Sequence, residues 1–508
     1  MRNPIPGLNK GSSSSSYFFP EKPRIIARNT RIDINDPEES EMAAISKSLS
    51  VYDGYVSYPK VLWRAMVLRT ENGKKILSVP RFVSKSSVLN NFPGTKINEN
   101  SFTPFAKEDI TNEIEPRSEM QRNALNYLFH GSNEFDWPSK IVDMPVGEGK
   151  TFVALKALSI LKMRANIFIH KQTMIETPWI KDILKFTNIK REEIGIIQGY
   201  KSFEKIIAEK NKYKIFITLH RTFSSLTTEN RAYENISRLY SECGIGINII
   251  DEAHIELMST FLISMYTMPK FSMYLTATLG RTEFNEEKIF TRTLPVKWSF
   301  MQSCPSETKR FVTFKRRNFK SNPSEKWNKI ILSKKGIHIA SYCDYLFENP
   351  EVYDTLLDIV KQSIREARKE YKGPSKEPVV AIILGKLSLV TAFIEDLGKE
   401  FGEENIGNFT GMIPIKERNK QLERSIIVST EKSMDSAIDT RVDSIINCVP
   451  ISSDVSLTQI IGRMRYDENH PNNPYSFYDV TDNCFSKSLS NSYTRANIIR
   501  KSIMLKEE

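Results

Sequence analysis

Cysteine and histidine are scarce in this chain, with five and six residues among 508. The cysteines, at 243, 304, 343, 448 and 484, form no Cys-x-x-Cys pair and have mostly apolar neighbours. A zinc ribbon or a disulfide framework is thereby disfavoured, and a reducing compartment fits. No apolar run is long enough to cross a bilayer, and the first residues lack the apolar core of a secretory signal. A soluble intracellular protein with no membrane partner is expected, its compartment left open.

What is present describes a globular protein: 40% apolar and 26% charged residues, in a length that suggests two to four domains. Lys and Arg number 72 against 61 Asp and Glu, a net charge of +11 that favours a polyanionic partner, nucleic acid being the economical choice. Residues 1–50, with Gly11 followed by Ser12 through Ser16, several prolines and a mixed-charge run, read as a mostly disordered tail. From 51 to 110, short aromatic and β-branched segments separated by Pro59 and Asn72-Gly73 suggest a small β-rich accessory domain.

Between Ile141 and Ala154 an apolar strand runs into a turn bearing Gly147 and Gly149 and then a helix opening on Lys150-Thr151. Such a turn curls backbone around an anion, and the helix N-terminus points unpaired amides at it. Gly147, Glu148, Gly149, Lys150 and Thr151 are the candidate nucleotide-binding residues, Lys150 near the terminal phosphates and Thr151 as a magnesium ligand. Met144 stands where the usual pattern carries glycine. A second apolar strand ends in Asp251 and Glu252. Asp251 is suited to hold Mg²⁺, and Glu252 to take a proton from water attacking a γ-phosphate. Strand-like stretches near 140, 166, 194, 214, 246 and 271 alternate with helical ones, as in a parallel sheet covered on both faces. The stretch Asn166–His170 is read as leading into a helix from about Thr173 that contains Trp179.

Asp251-Glu-Ala-His254 resembles the signature of superfamily 2 helicases and translocases of the DEAH/DExH type, and the likeness runs from about Pro116 to Asp482. It implies an α/β fold of two tandem RecA-like parallel-sheet motor domains behind the β-rich accessory domain. The divisions expected are a first motor domain over 111–305, a linker and connecting helix over 306–375, a second motor domain over 376–485 and a basic tail over 486–508. By the same resemblance Gln121 contacts adenine, while His170, Lys171, Thr218 and Arg221 touch the nucleic-acid backbone. Thr276 and Thr278, in Thr-Ala-Thr, would couple His254 to that face. In the second motor domain Gly385, Lys386, Thr410, Gly411 and Thr430 would hold the strand backbone. Asp439 would reach the nucleotide, although Ala437 stands where the family carries glycine. The stretch Leu457–Arg465 resembles the motif whose Gln459 orders the phosphate and whose arginines cross the cleft. A planar guanidinium pairs two phosphate oxygens at once. Which of Arg463 and Arg465 acts there is open, because Tyr466 occupies the position of the second arginine in many members.

The resemblance implies an ATP- and Mg²⁺-dependent DNA helicase or translocase whose two motor domains track one strand. Its layout looks most like phage UvsW-type and large-DNA-virus transcript-release helicases. Replication, recombination or transcription proteins are the partners this implies. An RNA-stimulated ATPase and a non-catalytic nucleic-acid scaffold are the competing readings.

Overall fold

The computed structural model of the protein describes residues 24–52, 60–71, 73–81, 92, 97–130, 139–145, 147–229, 231–277, 284–294, 299–300, 311–333, 336–434, 442–450, 454–464, 470, 472–502 and 504–507. Two seven-stranded sheets, parallel throughout, organise it. In the first the strand order is Ile194–Ile197, Ile215–Leu219, Arg164–Ile169, Ile245–Ile250, Phe271–Thr276, Ser139–Asp143 and Ser299–Phe300. Its central strands are continuous β-branched runs, and all six residues of Ile245–Ile250 are buried. That pattern belongs to a sheet covered by helices on both faces, where neither side of a strand meets water. The second sheet has the order Ile406–Phe409, Ile426–Thr430, Val380–Leu384, Ser444–Asn447, Tyr475–Asp482, Phe311–Phe319 and Met504–Glu507. These are two tandem RecA-like domains.

The expected linker over 306–375 is corrected. Phe311–Phe319 lies inside the second sheet, paired along its length with Tyr475–Asp482. The 21-residue helix Pro350–Glu370 packs Leu356, Val360 and Ile364 into that domain's core. The basic run Lys315-Arg-Arg317 is therefore no solvated connector. Strand alternation sends Lys315 and Arg317 to one face and Arg316 to the other. Lys315 Nζ donates to Glu366 and Glu370 of that helix, both at 2.7 Å, and Arg316 Nε donates to Ser492 Oγ at 2.8 Å. The passage between sheets falls at 301–310, outside the described residues.

The C-terminal tail is corrected too. Ser486–Ser502 is a helix whose Arg495, fully buried, forms a two-pronged ion pair with Asp479 at 2.9 and 3.0 Å. Met504–Glu507 then adds an edge strand beside Phe311–Phe319. A partly helical tail is what the sequence suggests; its burial is not, because a buried arginine reads as a surface residue until its carboxylate is known.

The accessory domain starts earlier than 51. Ile25–Arg28 and Arg31–Asn35 form a hairpin at the centre of its five-stranded sheet, followed by the helix Glu39–Leu49. Part of the expected disordered tail is thus core, with Ile25, Ile32 and Ile34 buried; residues 1–23 lie outside the described residues. The hairpin tip docks on the first RecA-like domain. Asn29 Oδ1 accepts from Ser139 Oγ at 2.5 Å, and Thr30 Oγ1 donates to Ser264 O at 2.7 Å. Arg31 Nη1 donates to Met265 O and Thr267 O at 2.5 and 2.9 Å. These carbonyls end the helix Leu257–Tyr266, so a guanidinium meets its negative pole. Burial alone would raise the Asp33 carboxyl, but Arg31, Arg69 and Arg28 hold it well below the usual carboxylate range. No helix among the described residues is long and apolar enough to cross a membrane.

Arg31→Met removes a fully buried partner of Asp33 and uncaps the helix, so a loss of roughly 3 kcal/mol or more is expected in the accessory-domain transition. Arg24→Met, at a half-exposed pair with Glu41, is expected to cost about 1 kcal/mol or less. Calorimetry compares the two, and equal effects would refute the docking role. Because the Asp33 value is depressed in the fold, its contribution is complete above about pH 4, where an unfolded aspartate ionises, and falls away in more acid solution.

Candidate active site

Three strand ends of the first sheet converge. Beyond Ser139–Asp143 the chain turns through Gly147 and Gly149, with φ of 86° and 87°, into the helix Lys150–Leu161. At Gly149 the left-handed backbone favours glycine, and a Cβ there would also lie 2.5 Å from Gln121 Nε2. Gln121 is buried beside the loop: its Nε2 donates to Glu148 O at 2.9 Å, and its Oε1 accepts from Arg117 N at 3.0 Å. Arg117 Nη2 donates to Gly147 O at 2.7 Å. Gln121 thus braces the turn as well as lining the cavity. Arg117 does the same, and no sequence pattern marked it.

Lys150 Nζ donates to Met144 O at 3.2 Å and lies 4.0 Å from Glu252 Oε1. Asp143, on the strand before the loop, is pushed up to about 6 by burial, against the opposing charge of Lys150. Asp251 follows Ile245–Ile250. Its Oδ1 accepts from Glu252 N at 2.9 Å, and its Oδ2 accepts from Trp179 Nε1 at 2.9 Å. Burial first, then the Glu252 charge, raise the Asp251 carboxyl above the usual range. Burial works on Glu252 in the same sense, but Lys150, His254, His170 and Arg463 outweigh it and hold that carboxyl low. Glu252 also has φ of 46°, a left-handed conformation uncommon for a side-chain-bearing residue.

His254 Nδ1 meets Thr276 Oγ1 at 2.9 Å and lies 3.4 Å from Glu252 Oε2. The structure therefore brings the proposed coupling pair together beside the carboxylate. His170 lines the same cavity as Lys150 and Glu252, and burial, aided by Lys171, pushes it down to about 4, leaving it neutral at ordinary pH. Its segment is also no single helix. Gln172–Met174 is one tight turn, Thr177 is extended at φ −136° before Pro178, and a short helix begins at Lys181. A residue preceding proline is disfavoured in the helical region, which explains the break.

The cavity measures about 400 Å³ and takes its walls from both sheets. Gly147, Lys150, Thr151, Asp251 and Glu252 come from the first, Gln459 and Arg463 from the second. Asp182, Lys185 and Phe186, unmarked by the sequence, line it as well. Thr151 and Asp251 offer hard oxygen donors of the kind Mg²⁺ accepts alongside phosphate and water. Thr278, Asp439 and Arg465 lie outside the described residues.

The residues expected on nucleic acid divide. Thr218 and Thr410 are buried and donate inward to Asn166 Oδ1 and Asn408 Oδ1, each at 2.8 Å, so their side chains are withdrawn from any surface. Arg221 and Gly411 are exposed, and Lys171 half-buried. Thr430 donates to Ser433 Oγ at 2.9 Å, and Lys386 is ion-paired to Asp344. Beside Gly385 an added Cβ would lie 2.6 Å from Cys343 Sγ, so that glycine serves packing.

A glycine-bearing turn, a paired-carboxylate strand end and an arginine from a second sheet thus face one cavity. Residues 113–281 match the family described as "Type III restriction enzyme, res subunit". The chain is 26% identical over 179 residues to the "DNA 3'-5' helicase XPB" of Kineococcus radiotolerans, an alignment spanning 35% of this chain and 29% of that protein. Among solved structures it is similar to T4 UvsW, at 17% identity and a TM-score of 0.35, covering 95% of this chain and 99% of that one. It is also similar to the helicase MrfA bound to DNA and AMPPNP, at 13% identity and a TM-score of 0.49, over 80% and 56% of the two chains. The Pyrococcus furiosus Hef helicase domain gives 12% and 0.44, over 74% and 97%. The family match thus spans about a third of the chain, and the chain covers less than a third of the length of the XPB relative.

Gly149→Ala combines a strained backbone with a collision at Gln121. Nucleotide affinity measured by fluorescence titration is expected to fall at least about tenfold, the strain alone amounting to roughly 1–2 kcal/mol. Unchanged affinity would show that the loop does not hold the phosphates.

Proposed function

We propose that the protein is a nucleic-acid-stimulated ATPase that moves along or remodels DNA. The observation that carries this reading is a single cavity walled by Lys150, Asp251 and Glu252 from one domain and Gln459 and Arg463 from the other. ATP would lie with its phosphates on the Gly147–Thr151 turn, where backbone amides and Lys150 meet their charge. Bound Mg²⁺, held by Thr151 and Asp251, would offset charge on the terminal phosphates. Glu252, kept low by its cationic neighbours, would accept the proton of the attacking water. Arg463 would complete the site only with the domains together, so that hydrolysis and closure go together.

DNA is favoured over RNA by the printed activity of the matched XPB relative, while the net charge of +11 suits either polyanion. The accessory domain ahead of the motor pair supports the likeness in layout to UvsW-type proteins. Arg221 and Lys171 at strand ends of the first domain, with Lys386 and Gly411 in the second, are the proposed strand contacts.

Steady-state ATP hydrolysis is measured without nucleic acid, with single-stranded DNA, with forked duplex and with RNA. DNA is expected to stimulate, Glu252→Gln to abolish turnover, and Arg463→Ala to reduce it by about 10³-fold or more. Stimulation by RNA alone would favour an RNA motor, and full activity in Arg463→Ala would refute the shared site.

A further inference from the structure

Trp179 is fully buried in the first domain's core, yet its one polar atom is directed at the site: Nε1 donates to Asp251 Oδ2 at 2.9 Å. An indole N–H is a donor only, and when buried it requires an acceptor. Any backbone carbonyl would satisfy it, but here the acceptor is a carboxylate, and donation to an ionised group is about twice as strong as between neutral partners. The other oxygen, Oδ1, is held by the Glu252 amide at 2.9 Å. With one donor on each oxygen the carboxylate plane cannot turn about its bond. Each oxygen keeps a further lone pair for the cavity, which Asp251 lines.

We infer that Trp179 is a positioning residue for Asp251, fixing the carboxylate orientation in which Mg²⁺ is bound with nucleotide. The inference rests on the reading of Asp251 as the cation-holding residue. Trp179 enters from a segment irregular in backbone, after the turn Gln172–Met174 and the extended Thr177, so local helix geometry does not dictate where its indole lies. What holds it is packing on one side and the Asp251 bond on the other. Preorganised groups around a metal ligand act on affinity through orientation and not through contact with the ion.

The test uses the full chain and a fluorescent ADP analogue. Trp179→Phe keeps an aromatic ring and removes the N–H. Affinity in EDTA is expected to be unchanged, whereas the Mg²⁺ concentration giving half of the magnesium-induced gain rises about tenfold. Equal weakening with and without Mg²⁺, or no change in either, would overturn the inference. If the variant does not fold, the wild-type ¹⁵N-indole spectrum decides, since the chain has five tryptophans and hence few resonances. One indole signal should move in Asp251→Asn and on adding Mg²⁺ with ADP, but not on adding ADP in EDTA. No such signal would overturn the inference. Failure of the wild type to bind nucleotide in a Mg²⁺-dependent way would instead overturn the parent reading, and this one with it.

Discussion

Two carboxylates, Asp251 and Glu252, stand side by side where little water reaches, and much of the first domain is arranged around that electrostatic burden. Like charges at close range cannot both ionise freely in a low-dielectric setting. The fold separates them by environment. Trp179 and the Glu252 amide hold Asp251 by neutral donors, while Lys150 and Arg463, with the imidazoles of His254 and His170, surround Glu252. Of these, Arg463 belongs to the other domain, so the state of Glu252 depends on how the domains meet. Backbone strain at Glu252, with φ of 46°, is kept because the strand before it and the helix after it are both anchored.

That anchoring reaches into the accessory domain. The helix Leu257–Tyr266 begins a few residues after His254, and its far end is closed by Thr30 and Arg31. Along its length Thr260 donates to Ala253 O at 3.3 Å and Ser259 to His220 O at 3.2 Å. A buried guanidinium tolerates no such place without a full set of acceptors, and Asp33, Tyr233 and the two carbonyls supply it. The accessory domain is therefore fixed to the element that follows the carboxylates, not attached by a flexible tether.

Much of this was legible in the residues. Lys150, Thr151, Asp251 and Glu252 sit in short motifs whose chemistry is local: a turn, a strand end, a helix start. Parallel sheets were legible for a related reason, because fully buried strands show as unbroken β-branched runs. What escaped shares a different property. Trp179, Arg31 and Arg495 each act through partners distant in the chain, and a side chain's type does not reveal its acceptor. Arg495 looked like surface charge, Lys315 like a connector, and the residues from Ile25 like tail, because tertiary pairing overrides composition there. His170 and Thr218 were expected at the strand-binding face on motif position alone; the fold sets the first, half-buried, against the cavity and buries the second.

The placement of Arg463 bears on why two sheets are needed at all. One RecA-like domain already holds the glycine-bearing turn and both carboxylates, so the proposed nucleotide site draws most of its residues from it. Among the described residues that line the cavity, Arg463 is the one cation that comes from the second domain. Supplying that cation from a second body makes the chemical step conditional on a rigid-body arrangement. The same arrangement sets the spacing between Arg221 in the first domain and Gly411 in the second, both exposed at strand ends. A ligand that favours the closed form at the cleft must then favour one spacing at the outer face, by thermodynamic necessity. Coupling of this kind needs no dedicated wire between the sites; it follows from placing half of a charge-neutralising set on each of two bodies.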